Sequence, residues 1–224
     1  MNSRANVYQY ARPVKVAIVG GGFGGLCMAI KLREAGIEDF VLLEKAELTS
    51  GSTWHAAGQI THSTSSFGLG KCVDYNIGLY SGGLEAETGQ PVTWHGCGSF
   101  RLAYTEDEMD WLRHTLSVGR SLGFNIELVG PEKVAELHPF YNLDDIIGAN
   151  HNLIDEGYFD GNTIFDWWKR SARERGAEYV TNEVVSMGMN EHGTAVETVT
   201  LKTGETISCG MVVNTSGPRA VRTS

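Results

Sequence analysis

The chain has few basic residues, few cysteines and no long apolar run. It carries 18 Lys and Arg against 27 Asp and Glu, a net charge of -9, and no basic cluster, so a nucleic-acid partner is not expected. No apolar stretch has the length that a bilayer requires, and the amino terminus shows neither a signal-peptide core nor a transit segment. We therefore expect a cytoplasmic protein without a membrane partner.

The cysteines are scattered and form no CxxC or other metal-like spacing. They are Cys27, Cys72, Cys97 and Cys209. The sequence therefore predicts no metal site, and free thiols in a reducing compartment. With 224 residues, of which 42% are hydrophobic, the chain is long enough for one domain, or for a large domain with a smaller one inserted in it.

A strand, a glycine turn and a helix are predicted near the amino terminus. Val14 to Val19 is a short apolar, β-branched run, typical of a parallel strand covered on both faces. It leads into GGGFGG, in which Gly20, Gly22 and Gly25 match the pattern GxGxxG. Apolar residues then recur at helical spacing until Gly36, which offers a C-terminal stop.

A second predicted strand, Phe40 to Leu43, delivers Glu44 at its carboxyl end. Glycines let a backbone approach a pyrophosphate, a helix N-terminus supplies free N–H groups, and a carboxylate accepts hydrogen bonds from ribose hydroxyls. Because strand, turn, helix and acid fall where the motif needs them, the sequence predicts dinucleotide binding. These residues alone leave FAD and NAD open.

The segment LTSGSTWHAAGQITH, residues 48–62, stands where an NAD-binding domain would return quickly to its sheet through a helix. Its small residues suit a segment that lies flat against a ligand. Ser52 and Thr53 are candidates to hydrogen-bond a phosphate, or to cap a helix that the pattern predicts to begin near Ala56. This segment favours FAD over NAD.

Four motifs resemble the FAD-dependent amino-acid oxidase superfamily, most closely its dimethylglycine and sarcosine dehydrogenase branch. They are VAIVGGGFGGL, VLLEKAELTSGSTWHAAG, GSFRLA and VVNTSGP, and the resemblance covers roughly Val14 to Ala220. It implies an α/β fold, with a Rossmann-like FAD-binding parallel sheet, a β-meander and part of an inserted α+β substrate domain. The implied domains are residues 1–90 with 155–224 for FAD, and 91–154 for the substrate.

The resemblance also implies which residues bind FAD. In that branch the histidine of the matching motif carries the flavin covalently through its 8α carbon, which assigns this role to His55; the alternative is a loop histidine that hydrogen-bonds a carbonyl. Val184 would contact the adenine through its backbone, and Gly217 would lie near the cofactor. The complete set is Gly20, Gly22, Phe23, Gly24, Gly25, Glu44, Lys45, Gly51, Ser52, Thr53, His55, Ala56, Ala57, Gly58, Gln59, Val184 and Gly217.

The implied activity is oxidation of the C–N bond of an N-methylated glycine derivative, with dimethylglycine or sarcosine as the amine substrate. Family members continue far beyond SGPRAVRTS, so we expect a truncated or amino-terminal fragment whose missing carboxyl-terminal half, or a second subunit, completes the substrate site. Tetrahydrofolate is expected only in a longer parent protein. We name no catalytic residue. The alternatives are a flavin monooxygenase, whose FxGxxxHxxxW fingerprint is missing, and a non-catalytic fragment that binds FAD or a partner.

Further elements are predicted from local signals. Thr105 with Glu108 reads as a capping box of a helix that stops at Gly123, and Pro131 begins a short helix. An antiparallel strand is predicted within VTWHGCGSFRLAY, and a helix is predicted after DEGYFDG. The later segments predict one strand in AEYVTNEVVSMGM, a β-meander in TAVETVTLKTGETISCG and a last parallel strand in MVVNTSGP. For Arg101 a solvent-facing or ion-paired role is favoured over a substrate clamp. Packing is favoured for both tryptophans of the pair at 167–168, and surface or hydrogen-bonded roles for His62, His95, His114, His138, His151 and His192.

Overall fold

The structure, a computed structural model, describes residues 13–62, 64–89, 91–153 and 156–222. The described chain divides into two compact units. Unit 1 holds the residues up to Ala56 and those from Ile164 onward, and unit 2 spans Ala57–Thr163. Within these ranges no helix is both long and apolar enough to cross a membrane. Nor do they contain a group of three or more His, Cys, Asp or Glu side chains placed to hold a metal ion.

The described residues form both strands and helices. The strands are β1 Val14–Val19, β2 Phe40–Glu44, β3 Gln59–Ile60, β4 Ser99–Ala103, β5 Ile126–Val129, β6 Gly148–Asn152, β7 Gly157–Tyr158, β8 Tyr179–Thr181, β9 Val184–Met189, β10 Val196–Leu201 and β11 Thr206–Asn214. The helices are α1 Phe23–Glu34, α2 Phe67–Gly78, α3 Leu84–Thr88, α4 Glu106–Ser121, α5 Pro131–Leu137 and α6 Gly161–Glu174. A π-helical turn, Leu79–Gly83, joins α2 to α3, and a 3₁₀ helix, Gly217–Arg222, follows β11.

Unit 1 is built on a sheet with the strand order β8-β2-β1-β11-β10-β9. The first four strands in that order are parallel, and the last three form an antiparallel meander. Strand β11 belongs to both parts, because Thr206–Ser208 pair with β10 whereas Cys209–Asn214 pair with β1. The fold class predicted from the sequence, a parallel α/β sheet with a meander, is therefore confirmed.

Both faces of the central strand β1 are buried. Val16 and Ile18 join a cluster with Ala29 of α1, and Ala17 and Val19 join a second cluster with apolar residues of β2 and the meander. Covering both faces explains why the run from Val16 to Val19 is continuously apolar and does not alternate with polar residues. The buried core therefore holds the carboxyl end of β1, and the glycine turn after it, in a fixed place.

Unit 2 contains the three-stranded antiparallel sheet β4-β6-β5 and the two-stranded pair β3-β7. Helix α4 begins with the predicted capping box: the Thr105 hydroxyl accepts from the Glu108 N–H, and the Glu108 carboxylate accepts from the Thr105 N–H. The helix is followed by Gly123, whose φ of +85° suits a glycine stop. The predicted starts of α4 and α5, the antiparallel strand β4 and the meander are all confirmed.

Some predictions were wrong. No helix begins near Ala56, where the chain forms turns and then irregular backbone, and the next helix is α2, which starts at Phe67. The single strand predicted in AEYVTNEVVSMGM is two strands, because the chain leaves β8 at Asn182 and enters β9 at Val184. The predicted functional domains at 1–90, 91–154 and 155–224 stay a prediction, because a division into compact units does not show which residues bind a ligand.

Candidate functional site

Two glycines of the turn after β1 are required by close packing. Gly20 has a φ of +106°, and a Cβ there would lie 2.6 Å from the carbonyl oxygen of Thr215. A Cβ on Gly25 would lie 1.9 Å from the Gly20 carbonyl oxygen. Glycine at these two positions allows α1 and the segment after β11 to approach the end of β1 closely. Packing alone therefore explains Gly20 and Gly25, without a contact to a ligand.

Gly22 lies in a different environment. Its φ of -75° is open to any residue, and the one heavy atom near a Cβ there, among the described residues, is Thr53 Oγ1 at 3.1 Å. Gly22 is the N-cap of α1 and offers no side chain to the free N–H groups of the first turn. A helix N-terminus attracts negative charge, so this position suits the predicted phosphate contact, which stays a prediction.

Glu44 lies directly beside the turn, because β1 and β2 pair in parallel with Val19 opposite Leu43. Its carboxylate accepts hydrogen bonds from the N–H of Gly21 at 2.6 Å and from the N–H of Ala46 at 3.0 Å. The side chain is half-buried, so part of it still faces solvent at the carboxyl edge of the sheet. The arrangement suits the predicted ribose contact, which stays a prediction.

The segment after β2 folds back on the glycine turn. The N–H of Thr49 donates to the Gly21 carbonyl at 2.9 Å, and Thr53 Oγ1 accepts from the N–H of Phe23 at 3.0 Å. The segment is itself a series of turns, in which the N–H of Trp54 donates to the Thr49 carbonyl at 3.0 Å. His55, which follows Trp54, has an exposed side chain. Gly51 and Ser52 are also exposed.

Two supporting residues were missed from the sequence. Thr49 is buried and has a φ of +69°, a conformation that is costly for a β-branched residue. No local sequence pattern predicts this conformation. The Thr215 hydroxyl donates to the carbonyls of Val19 and Gly20, each at 2.9 Å. Its position directly after the last parallel strand is the signal that could have drawn attention to it.

The predicted adenine and flavin contacts of unit 1 also lie at the carboxyl edge of the sheet or next to it. Val184 begins β9 and is buried, and the connection before it is held to β2 because the N–H of Asn182 donates to the Glu44 carbonyl at 2.8 Å. Gly217 follows β11 with a φ of +63°. These positions are consistent with the cofactor roles that the resemblance implies, and those roles stay predictions.

Basic side chains lie near Glu183, in the connection before β9. Lys202 lowers the pKa of the Glu183 carboxyl through a hydrogen bond and its charge, and Lys45 and Arg219 act in the same direction. The predicted cofactor residue Lys45 therefore lies close enough to Glu183 to interact with its charge.

Ala57, Gly58 and Gln59 are described with unit 2, where the chain enters β3. Gly58 has a φ of +74°, and a Cβ there would lie 2.4 Å from the Phe159 carbonyl oxygen. Its carbonyl accepts from the Phe159 N–H at 3.0 Å. The glycine is thus needed by the backbone, whatever it contacts in a ligand.

Other residues singled out in the sequence have structural roles. The guanidinium of Arg101 lies over the Trp111 ring, 5.0 Å from its centroid, and both Trp167 and Trp168 are buried. His62 was predicted to be exposed or hydrogen-bonded, but it is only 4% exposed and stacks on Phe124. In the described part of the chain its ring nitrogens have no hydrogen-bond partner, so that prediction was wrong.

Comparison with known proteins decides the family. The profile described as "DAO: FAD dependent oxidoreductase" matches residues 15–223. The chain belongs to this family of FAD-dependent oxidoreductases. The match runs from β1 through the segment after β11, so it includes the glycine turn, Glu44 and the His55 segment.

Relatives within the family include dehydrogenases of methylated amines. Rat mitochondrial dimethylglycine dehydrogenase is 39% identical over 162 residues, which are 72% of this chain and 19% of the relative. A mouse mitochondrial pyruvate dehydrogenase phosphatase regulatory subunit is 38% identical over 149 residues, 66% of this chain and 17% of the relative. Human mitochondrial sarcosine dehydrogenase is 29% identical over 167 residues, 75% of this chain and 18% of the relative. Each of these matches covers at least 66% of this chain but spans less than a fifth of the relative.

A solved structure supports the fold of this FAD-dependent oxidoreductase chain. L-proline dehydrogenase from P. horikoshii superposes with a TM-score of 0.83 at 22% identity, over 95% of this chain and 55% of that one. At this identity the likeness shows a shared fold only.

Proposed function

We propose that the chain is the FAD-binding part of an enzyme that oxidises the C–N bond of dimethylglycine or sarcosine. The observation that carries the proposal is the N-terminus of α1, where Gly22 supplies no side-chain cap and Glu44 bonds to the adjacent turn, in a chain that is 39% identical to a dimethylglycine dehydrogenase over the matched residues. When bound, FAD supplies the two-electron acceptor for amine oxidation, and the protein supplies placement.

The chain's own residues bind and orient the cofactor. The first-turn N–H groups of α1 receive the pyrophosphate, with Gly22 leaving room for it. The Glu44 carboxylate accepts from the ribose hydroxyls, and the backbone of Val184 contacts the adenine.

His55 is the proposed point of covalent attachment. Its side chain is exposed, and it lies two residues after Thr53, whose hydroxyl contacts the first turn of α1. A neutral imidazole nitrogen carries a lone pair and can act as the nucleophile. The alternative is a histidine that only hydrogen-bonds a neighbouring carbonyl. Acid precipitation distinguishes it from a histidine that carries the flavin covalently.

The test of attachment is acid precipitation of protein purified with FAD. Flavin fluorescence should stay with the denatured chain, and a peptide that contains Trp54 and His55 should carry the mass of FAD. His55→Ala should release the flavin to the supernatant. His114→Ala is the matched control, because His114 is also exposed and lies on α4 in unit 2. Covalent flavin in His55→Ala would disprove attachment there.

Substrate-binding residues are proposed to come from sequence beyond these 224 residues, in a longer parent chain or a second subunit. With that sequence supplied, dimethylglycine or sarcosine should bleach the flavin absorbance under anaerobic conditions. Bleaching by an unrelated hydroxy acid, and by neither amine, would reject the substrate class. Tetrahydrofolate is proposed as an acceptor of the one-carbon product only in that longer protein.

A second candidate is a non-catalytic protein that binds FAD or a partner, favoured by the 38% identity to a phosphatase regulatory subunit. It predicts FAD absorbance bands that no amine bleaches, even when a longer parent chain or a second subunit is supplied.

The cytoplasmic location also stays a proposal, since these relatives are named as mitochondrial proteins. Cell fractionation with an antibody to the chain tests it.

A further inference from the structure

The segment that carries His55 is anchored to the glycine turn at two points of different chemistry. One is a backbone bond from the Thr49 N–H to the Gly21 carbonyl, which almost any residue at 49 could make. The other joins Thr53 Oγ1 to the Phe23 N–H at 3.0 Å and depends on a hydroxyl side chain. Of these two anchors, only the second can be removed by an isosteric side-chain substitution.

The Thr53 anchor lies directly upstream of the histidine. The N–H of His55 donates to the Ser52 carbonyl and that of Ala56 to the Thr53 carbonyl, each at 3.2 Å, so the turn that presents the imidazole begins at these residues. Thr53 is half-buried while its neighbours Ser52 and His55 are exposed. The place of Thr53 therefore fixes the place of the turn that follows it.

Thr53 also compensates for the glycine at the helix N-cap. Gly22 caps α1 without a side chain, because a side chain there would occupy the phosphate space, and Thr53 provides the missing acceptor from another segment. The same contact thus links the proposed pyrophosphate helix to the proposed attachment residue.

We infer that Thr53 is a positioning residue that holds His55 at a fixed place relative to the N-terminus of α1, and so sets the rate of flavin attachment. The inference rests on the proposed attachment through His55. Attachment forms one bond, from an imidazole nitrogen to the 8α carbon. Two protons leave, one from that carbon and one from the imidazole, and the two electrons pass through the flavin to dioxygen. Because bond formation needs close approach, a shift of about 1 Å slows it by up to about 100-fold.

The first measurement is hydrogen exchange on the cofactor-free chain. Thr53→Val keeps the shape of the side chain and removes the acceptor, so exchange at the Phe23 amide and at the amides of residues 54–56 should become about five-fold faster. Thr53→Ser should restore the wild-type rates, and Ser52→Ala should leave them unchanged. Equal exchange in wild type and Thr53→Val overturns the anchor.

The second measurement is the rate at which acid-stable flavin forms when FAD is added. Thr53→Val should be about 10- to 100-fold slower than wild type, with Thr53→Ser close to wild type. Both rates are measured at FAD concentrations that saturate binding, set from the Kd of each variant in a His55→Ala background, where binding stays reversible. An attachment rate that is unchanged at saturating FAD overturns the inference. Absence of acid-stable flavin in the wild type overturns attachment itself, while the exchange data still decide the anchor.

Discussion

The carboxylate of Glu44 accepts a hydrogen bond from the N–H of Gly21 at 2.6 Å, so the acid at the end of β2 is bonded directly to the turn after β1. Predictions for either residue therefore concern both the shape of the turn and the ligand that it receives.

Glu44→Ala should weaken FAD binding at least about ten-fold, because it removes a charged acceptor that holds the turn, a contact of about 1.5–3 kcal/mol, as well as the proposed ribose partner. Equilibrium dialysis or flavin fluorescence measures the Kd. Glu47→Ala is the control, since Glu47 is an exposed acid on the same segment. Equal affinities of the two variants would place the cofactor elsewhere.

Alanine at two glycines of the turn should separate folding from binding. Gly22→Ala has an allowed φ and adds a Cβ 3.1 Å from Thr53 Oγ1, so its Tm without cofactor should stay within about 2 °C of wild type while FAD binding is lost. Gly25→Ala places a Cβ 1.9 Å from the Gly20 carbonyl, and the overpacking should lower the Tm by about 4 °C or more. The reverse pattern would contradict the division of roles.

Glu156→Ala should destabilise unit 2. The Glu156 side chain is fully buried and accepts from the N–H of His62 and the hydroxyl of Ser99. Removing it leaves a buried donor at His62 and a half-buried donor at Ser99, at a cost of about 1–3 kcal/mol in the free energy of unfolding. Urea denaturation measures this. Glu136→Ala, which breaks only an exposed pair with Lys133, should change stability by less than about 1 kcal/mol, and an equal loss in both would refute the buried role.

The thiols should differ in reactivity. Burial raises the pKa of Cys27 to about 12, despite the opposing charge of Lys31, and burial also raises the pKa of Cys209. Cys72 and Cys97 are exposed. Iodoacetamide at pH 8 should therefore modify Cys72 and Cys97 first, since the thiolate is the reactive form, and Cys27 and Cys209 only in urea. Mass spectrometry of the peptides follows the order, and early labelling of Cys27 would contradict the burial described.

Elements with a local signal were predicted well from the sequence. The bounds of β1 agree because a strand buried on both faces shows a continuous apolar run, and α4 was located by its capping box, which is encoded within four residues. Gly20, Gly22 and Gly25 were identified as a group, but the sequence could not show that Gly20 and Gly25 meet backbone atoms while Gly22 meets the Thr53 hydroxyl. That difference depends on Thr215 and Thr53, which are distant in sequence.

Elements that depend on tertiary contacts were missed. Helix α2 contains glycine at 68, 70 and 78, and its composition does not favour a helix. In the fold, a Cβ on Gly70 would lie 2.3 Å from a methyl group of Leu122, so one of these glycines allows a close approach that no local pattern reveals. His62 was misjudged for the same reason, because its burial depends on Phe124.

The shared strand β11 has a consequence for the order of events during synthesis. The glycine turn spans residues 20–25, but the Thr215 hydroxyl that bonds to Val19 and Gly20 is synthesised some 195 positions later. Closing so long a loop is entropically costly and slow compared with forming local contacts. A ribosome-bound chain that lacks β11 therefore presents a glycine turn that the Thr215 hydroxyl does not yet hold.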